Sequence, residues 1–247
     1  MSATREGSGA HMGVQTLVLW DVDHTLMETR GMGFELFRAA FEQASGEQLV
    51  HAAEVTGRTE PAIFRETLES HHIRYSAALF DRYADLLAGA YRARAGELAR
   101  RGRALPGAAE AIAALAVTGR VVQSVLTGNL RPVAETKLRV FGLDGELDLD
   151  VGAYGTDDEV RAQLVPVACR RASEKYGLSF PDGTTVLIGD SPSDVEAALG
   201  SGVRIIAVAS GKSAPAELRR AGATVVLPNL LDGGSVVRAA LNLGHQA

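Results

Sequence analysis

The amino-acid sequence predicts an α/β protein with a parallel sheet and a second, all-helical domain inserted after the first strand. Short apolar runs that end in polar residues alternate along the chain with helix-like patterns, which is typical of a parallel sheet with helices on its faces. Residues 31–104 break this alternation, because they have helical apolar spacing and no buried-strand run.

Five apolar runs predict the strands of the sheet. The first, residues 17–20, ends at Asp21 and is typical of a buried parallel strand. The later strands are predicted at residues 121–126, 186–188, 203–208 and, more weakly, 224–227. Helical patterns between these runs predict helices at residues 108–117, 133–141, 160–176 and 194–199.

The inserted segment shows apolar residues at helical spacing, as in Phe34, Phe37 and Phe41. Pro106 and Gly107 then mark the return of the chain to the sheet, because this pair of residues interrupts regular structure. The segment between the first strand and this turn is therefore expected to fold as helices.

These boundaries predict two domains. Residues 15–30 and 105–247 should form the core domain, and residues 31–104 the helical domain. Residues 1–14 are rich in Gly, Ser and Ala and lack an apolar run, so we expect a disordered leader and not a signal peptide.

Composition excludes several classes of protein. Lys and Arg number 25 against 30 Asp and Glu, and this net charge of −5 argues against a dedicated nucleic-acid binder. The single cysteine, Cys169, excludes an internal disulfide and a cysteine-rich zinc site. No run of about 18 apolar residues is present, so no membrane span is predicted. We expect a cytoplasmic protein with no nucleic-acid or membrane partner, and the oligomeric state is left open.

Three of the predicted strands end in residues that are capable of chemistry. Ligands of such sheets bind at the carboxyl ends of the strands, so these residues should meet at one site. Four carboxylates from two distant segments would repel one another without a cation, and carboxylate oxygens are hard ligands that suit Mg²⁺. The residues at these ends are Asp21, Asp23, Thr127, Gly128, Asn129, Asp190 and Asp194.

These residue types suit phosphate chemistry. An Asp carboxylate can attack phosphorus, and a second Asp can protonate the leaving oxygen and then deprotonate water. The hydroxyl of Thr127 and the N–H groups of Gly128 and Asn129 suit a phosphate oxygen near a helix start. Each motif alone is also compatible with an ordinary turn or helix cap. Their combination, each after an apolar strand, favours a functional site.

The segments DVDHT (residues 21–25), LTGN (126–129) and IGDSPSD (188–194) resemble motifs I, II and IV of the haloacid dehalogenase-like hydrolase superfamily, in particular its phosphoglycolate phosphatase-like members. The resemblance covers nearly the whole chain, from about residue 16 to residue 231. It implies a Rossmann-like parallel sheet with helices on both faces, an α-helical cap, Mg²⁺ dependence and an aspartyl-phosphate intermediate.

The resemblance also implies a role for each motif residue. Asp21 would be the nucleophile and a metal ligand, and Asp23 the general acid/base and a metal ligand through its backbone carbonyl. Thr127 would hold the phosphate, Asp190 would bind the metal directly, and Asp194 would do so through water or by positioning. Family members that are dehalogenases or phosphonatases lack an Asp at the position of Asp23, so its presence implies phosphate esters.

The family also needs a motif III cation, and here no Lys-Pro stands before the relevant helix. Arg161, at the start of that helix, is the favoured residue, although an ion pair with Asp157 or Asp158 would also account for it. Lys137 is the alternative. It follows motif II within a helix that we expect to point it elsewhere, and a solvated helix face would equally explain it.

Two further positions have open interpretations. Arg58 lies in a polar break between helices where the family places its specificity loop, so it could meet an anionic group of the substrate or belong to a plain surface loop. His24 replaces the glycine that is usual after the second Asp. It could narrow the site, although a neutral variation is favoured.

The function predicted is that of a Mg²⁺-dependent phosphatase that hydrolyses a phosphomonoester of a small phosphorylated metabolite. The first alternative is a phosphomutase, which returns the phosphoryl group from the same aspartyl-phosphate to another hydroxyl. The second is a non-catalytic homologue, which would need a broken catalytic set.

Overall fold

The computed structural model describes residues 15–242. The predicted leader, residues 1–14, lies outside this part of the chain. None of the helices in the described part is long and apolar enough to cross a membrane.

The first half of the chain contains one sheet strand, four helices and a small ribbon. In order these are β1 (Thr16–Trp20), β2 (Met27–Glu28), α1 (Met32–Ser45), α2 (Glu60–Ser70), α3 (Ala77–Ala93), α4 (Ala95–Arg101) and β3 (Arg103–Ala104). The strands β2 and β3 pair antiparallel, so the chain leaves for the helices and returns from them at one place. We call residues 31–104 the helical insert, and their status as a separate domain stays a prediction.

The second half alternates between helices and strands. In order the elements are α5 (Ala108–Val117), β4 (Val121–Val125), α6 (Arg131–Val140), α7 (Arg161–Tyr176), β5 (Thr185–Gly189), α8 (Pro192–Gly200), β6 (Arg204–Val208), α9 (Pro215–Arg220), β7 (Val225–Leu227) and α10 (Gly233–Ala240). The five predicted strands and four predicted helices lie within a few residues of these bounds. The short β2, β3, α9 and α10 were not predicted.

The central sheet has the strand order β4-β1-β5-β6-β7, and all of its pairs are parallel. In β1, Trp20 pairs with Val125 of β4 on one side and with Ile188 of β5 on the other. The carboxyl ends of these three strands are therefore neighbours. This architecture confirms the predicted fold class, a Rossmann-like parallel sheet with helices on both faces and an inserted helical segment.

Both faces of the sheet are covered by apolar layers, as the fully buried strands require. Leu17 and Leu19 pack on the face covered by α7 and α8, whereas Val18 and Trp20 pack on the opposite face. The apolar layer that contains Val18 and Trp20 is continuous with the apolar interior of the helical insert. Helices α3 and α4 of the insert pack against α6. The insert is thus packed directly over the end of the sheet where the polar residues lie.

Candidate active site

The candidate site is a cavity of about 360 Å³ between the carboxyl ends of β1, β4 and β5 and the helical insert. Asp21 follows β1, Thr127 follows β4, and Asp190 follows β5, and all three line the cavity. They are brought together because β1 is hydrogen-bonded to both other strands. The loops after these strands place the remaining motif residues around the same opening.

Three buried carboxylates form the centre of the site. Oxygen atoms of Asp21, Asp190 and Asp194 all lie within 4.8 Å of one another. The hydroxyl of Thr25 donates hydrogen bonds to Asp190 (3.1 Å) and to Asp21 (3.5 Å). Ser191 donates its hydroxyl (2.6 Å) and its backbone N–H (3.1 Å) to one oxygen of Asp194, which completes a capping box at the start of α8. Thr25 is part of the DVDHT motif, but no role was predicted for it from the sequence.

Arg161 is the cation nearest to this cluster. It is the first residue of α7, its side chain is buried, and its Nη2 lies 2.8 Å from Oδ1 of Asp21. The same guanidinium donates from Nη2 (2.5 Å) and Nε (3.0 Å) to Oδ1 of Asp194. Both contacts are within the reach of about 4 Å that defines an ion pair. Neither Asp157 nor Asp158 is its partner, since Asp157 pairs with Arg171 and Asp158 accepts a hydrogen bond from the backbone N–H of Val160.

The charge of the cluster is not balanced by Arg161 alone. Burial and the neighbouring Asp194 raise the pKa of Asp21 to about 7, in spite of the contact with Arg161. Burial and the charge of Asp21 raise the pKa of Asp190 to about 8. Three carboxylates facing one guanidinium leave an excess of negative charge, and all the donors are hard oxygens. These residues fit a divalent cation such as Mg²⁺, which Asp21 and Asp190 would hold with the help of Asp194.

In the metal-free protein we expect thermal stability to fall as the pH rises from about 5 to about 8. The pKa values of Asp21 and Asp190 in the folded protein lie above the ordinary value of 3.8, so the folded state binds more protons than the unfolded state in this window. Stability is therefore lost as the pH rises through these pKa values. Melting temperatures in EDTA at both pH values test this, and equal values would contradict it. Mg²⁺ should remove most of the difference, because it binds the ionised carboxylates of the folded state.

Asp23 lies in the opposite electrostatic environment. Nζ of Lys137 contacts both of its carboxylate oxygens, at 2.8 and 2.7 Å, and the side-chain amide of Asn129 donates to one of them at 2.7 Å. Burial alone would raise the pKa of Asp23, but the Lys137 ammonium and the Asn129 amide hold it below the ordinary value of 3.8. The site thus contains two Asp residues whose pKa values are moved in opposite directions.

The expectation that Lys137 points away from the site was wrong. Its side chain is only 5% exposed, and Nζ also donates to Oδ1 of Asn129 at 2.7 Å and lies 5.3 Å from the ring centre of Tyr91. Position 137 shares the buried face of α6 with Val133 and Ala134. This helical spacing was a signal in the sequence, since a lysine on an apolar face needs a buried partner.

Replacing Lys137 with Met should lower the free energy of unfolding by about 3 kcal/mol, the lower end for a broken buried pair. The lower end applies because the Asp23 side chain is 34% exposed to the cavity, where water screens its charge. The double variant Lys137→Met/Asp23→Asn should recover part of this loss, because it leaves no unpaired carboxylate. Denaturant unfolding measures both changes.

Lys175→Met is the matched control for that experiment. Lys175 also pairs with an aspartate, Asp148, at 2.8 Å, but its side chain is 45% exposed. We expect this change to cost less than about 1 kcal/mol, as exposed ion pairs do. An equal loss for the two lysine variants would show that Lys137 has no special role in balancing Asp23.

The loop after β4 makes close contact with the helical insert. Thr127 is buried, and its hydroxyl accepts hydrogen bonds from the side-chain amide (2.7 Å) and the backbone N–H (3.3 Å) of Asn129. A Cβ atom at Gly128 would lie 2.0 Å from the carbonyl oxygen of Arg58, so only glycine allows this approach. The structure therefore brings Thr127, Gly128, Asn129 and the Arg58 loop to the same side of the cavity.

The guanidinium of Arg58 is already engaged. It lies 2.6 Å from a carboxylate oxygen of Glu66 and donates to the backbone carbonyl of Glu54 at 3.3 Å. His24 lines the cavity in a left-handed conformation, with φ of 64°, which is uncommon for a residue other than glycine. A substrate role for Arg58 stays a proposal.

A parallel sheet has buried carboxylates, a cation and a threonine at its carboxyl edge and is covered by a helical insert, which defines a Rossmann-like α/β protein with an acidic candidate site. The chain belongs to the haloacid dehalogenase-like hydrolase family, whose sequence model matches residues 18–199. This confirms the family that the motifs predicted. No curated protein sequence matches the chain.

Solved structures of the same fold resemble this chain over most of its length. A protein described as a predicted phosphatase from Clostridium acetobutylicum has a TM-score of 0.66 at 18% identity, covering 94% of this chain and 100% of that one. A predicted phosphoglycolate phosphatase from Haemophilus somnus has a TM-score of 0.61 at 16% identity, covering 90% and 97%. A candidate beta-phosphoglucomutase from Thermotoga maritima has a TM-score of 0.55 at 19% identity, covering 93% and 100%. At these identities the similarity establishes the fold alone.

Proposed function

We propose that the protein is a Mg²⁺-dependent phosphatase that hydrolyses the phosphomonoester of a small metabolite through an aspartyl-phosphate. The observation that carries this proposal is the pair Asp21 and Asp23. They lie two residues apart, one beside Arg161 and the acidic cluster and the other held by Lys137. Without metal and substrate their pKa values are moved in the opposite sense to the nucleophilic and acid–base roles, and Mg²⁺ beside Asp21 and a dianionic phosphate beside Asp23 would each reverse that direction.

In the first half of the reaction, an oxygen of Asp21 attacks phosphorus. The bond from phosphorus to the Asp21 oxygen forms as the bond to the leaving oxygen breaks, and Asp23 donates a proton to that oxygen. Asp23 is ionised without substrate, but a dianionic phosphate close by favours its protonated form. Mg²⁺, when bound, would offset the negative charge of the phosphoryl group and of Asp21.

In the second half, water attacks the phosphorus of the aspartyl-phosphate. Asp23 takes a proton from this water, and its contacts with Lys137 and Asn129 stabilise its ionised form for that step. The Arg161 guanidinium, held between Asp21 and Asp194, is placed to stabilise negative charge that develops on the phosphoryl oxygens. The reaction releases inorganic phosphate and restores both aspartates.

The contacts between the helical insert and the core support the proposal that the insert excludes water from the site. The backbone N–H of Glu60 donates to the carbonyl of Gly128 at 2.8 Å, and the hydroxyl of Thr59 donates to the carbonyl of Glu159 at 2.8 Å. Arg65 adds a two-pronged ion pair with Glu159. These contacts would hold the insert, as a cap, against the core while the phosphoryl group is transferred.

The proposal is tested by phosphate release from a panel of phosphorylated metabolites with Mg²⁺ and with EDTA. We expect release that needs Mg²⁺, and rapid quenching with a ³²P-labelled ester should trap acid-stable label on the protein. Release of phosphate without labelled protein would contradict the aspartyl-phosphate. Absence of release from every ester would contradict the phosphatase.

The same panel separates the alternatives. A phosphomutase would convert a sugar phosphate into an isomer without releasing phosphate in proportion, because it returns the phosphoryl group to another hydroxyl. The non-catalytic reading is disfavoured by the full set of carboxylates, since Asp21, Asp23, Asp190 and Asp194 all lie at the site.

A further inference from the structure

We propose that the substrate is a phosphomonoester whose leaving group is uncharged and predominantly apolar. This inference rests on the proposed phosphatase and names its substrate class. It comes from the part of the cavity where the helical insert forms the wall. This part lies beyond the end at Asp21, Thr127 and Asp190, where the phosphate would bind. Two independent features of that wall support it: how the cavity's cations are paired, and which side chains line the insert side.

The first feature is that the cations of the cavity are committed to acidic partners within the protein. Five Lys and Arg side chains line it, and in the described part of the chain four of them are in ion pairs of 3.0 Å or less. The four are Arg30 with Glu28, Arg58 with Glu66, Lys137 with Asp23, and Arg161 with Asp21. A second anionic group on the substrate would have to compete with one of these carboxylates for its cation, although Glu28 would keep Arg103 at 2.7 Å if Arg30 moved away.

Lys212 is the fifth cation. It follows Gly211, whose chain passes so close to Asp190 that a Cβ atom would lie 1.7 Å from a carboxylate oxygen. Hydrogen bonds from Thr56 and the charge of Lys212 lower the pKa of Glu54 in the helical insert, so Lys212 also acts on an acidic group of the protein. An anionic group of the substrate would have to compete with these carboxylates for Lys212.

The second feature is the composition of the wall. The helices of the insert present large apolar side chains to the cavity, and the wall carries no unpaired cation within the described residues. Phe34 lines the cavity, and 46% of the residue is exposed. The residues of this apolar wall are Phe34, Phe37, Ile63 and Leu87.

These two features predict that the cavity binds an apolar leaving group more tightly than an anionic one. An apolar leaving group gains free energy by leaving water for such a wall, at about a fourfold increase in binding for each buried methylene group. A carboxylate placed against the same wall would lose its hydration without gaining a partner. The site should therefore discriminate against anionic leaving groups of the same shape.

The sharpest test compares isobutyl phosphate with 2-phosphoglycolate, because the branched methyl groups of the first have the shape of the carboxylate of the second. We expect kcat/KM to be about tenfold or more higher for isobutyl phosphate, although glycolate is the better leaving group. Along ethyl, butyl and hexyl phosphates, kcat/KM should rise about fourfold per methylene until the cavity is filled.

Variants at Phe34 assign the preference to the wall. Phe34→Ala should flatten the rise with chain length, and Phe34→Lys should shift the ratio of the matched pair toward 2-phosphoglycolate by supplying an unpaired cation. Leu199→Ala and Leu199→Lys are the matched controls, since Leu199 is 51% exposed on α8 and does not line the cavity. The controls should leave both measurements unchanged.

The outcomes separate this inference from the proposed function. If 2-phosphoglycolate is hydrolysed as fast as isobutyl phosphate or faster, the substrate class is wrong and the phosphatase stands. If the Phe34 variants behave as the Leu199 variants do, the apolar wall does not bind the leaving group, and the inference is overturned. If neither these esters nor any in the wider panel is hydrolysed, the proposed function itself fails.

Discussion

Asp21→Asn should lower turnover by about 10⁴-fold or more and leave the protein folded. An amide does not attack phosphorus and is a poorer ligand for Mg²⁺, so both the proposed nucleophile and a proposed metal ligand are lost at once. Folding should not suffer, because burial and the charge of Asp194 already disfavour the ionised form of Asp21. Phosphate release and the melting temperature are the two measurements.

Asp150→Asn is the matched control for that variant. Asp150 also pairs with an arginine, Arg131 at 2.7 Å, but its side chain is 68% exposed and lies outside the cavity. This variant should keep the turnover of the unchanged protein. Near-normal phosphate release by Asp21→Asn would remove Asp21 from the role of nucleophile, and a melting temperature many degrees lower would mean that the loss reports unfolding.

Asp23→Asn should slow the reaction by about 10²–10⁴-fold, the usual scale for one acid–base group. The loss should depend on the leaving group, because an aryl oxygen departs without a proton whereas an alkyl oxygen needs one. Single-turnover phosphoryl transfer should therefore fall more for alkyl than for aryl phosphates. An equal loss for both classes would contradict the acid role and leave only the base role in the second step.

Stability gives an internal check on the same variant. Asp23→Asn removes the carboxylate partner of Lys137, whose side chain is only 5% exposed, so an ammonium is left beside the amide of Asn129. We expect a measurable loss of unfolding free energy, because a buried charge without its counter-charge is costly. Activity must therefore be measured well below the melting temperature of the variant.

The fold could be predicted from local patterns because each strand of a parallel sheet is buried on both faces. Runs such as residues 17–20 and 186–188 are apolar throughout, which distinguishes them from the amphipathic helices between them. The short strands β2 and β3 were missed because two residues carry no period. They are held by pairing across the whole helical insert, which is a contact distant in sequence.

The candidate nucleophile and the acidic motifs could likewise be predicted from the sequence, because the carboxyl ends of adjacent parallel strands lie at the same edge of the sheet. Thr25 is an intermediate case, since its hydroxyl bonds Asp190 over a sequence separation that only the pairing of β1 with β5 removes. Arg161 could be proposed from its place before motif IV. Its distance of 2.8 Å from Asp21 depends on how α7 packs against β1.

By itself the sequence determined the class of fold, the order of its strands along the chain and the set of carboxylates at their ends. These follow from periodicity and from the rule that ligands bind at one edge of a parallel sheet. Only the tertiary structure decided which cation serves which carboxylate, because Lys137 and Arg161 lie on different helices and a long side chain can reach in several directions. It also decided that the cavity's arginines are already paired and that Phe34 lines the cavity. Such properties depend on distances between segments that no local pattern encodes.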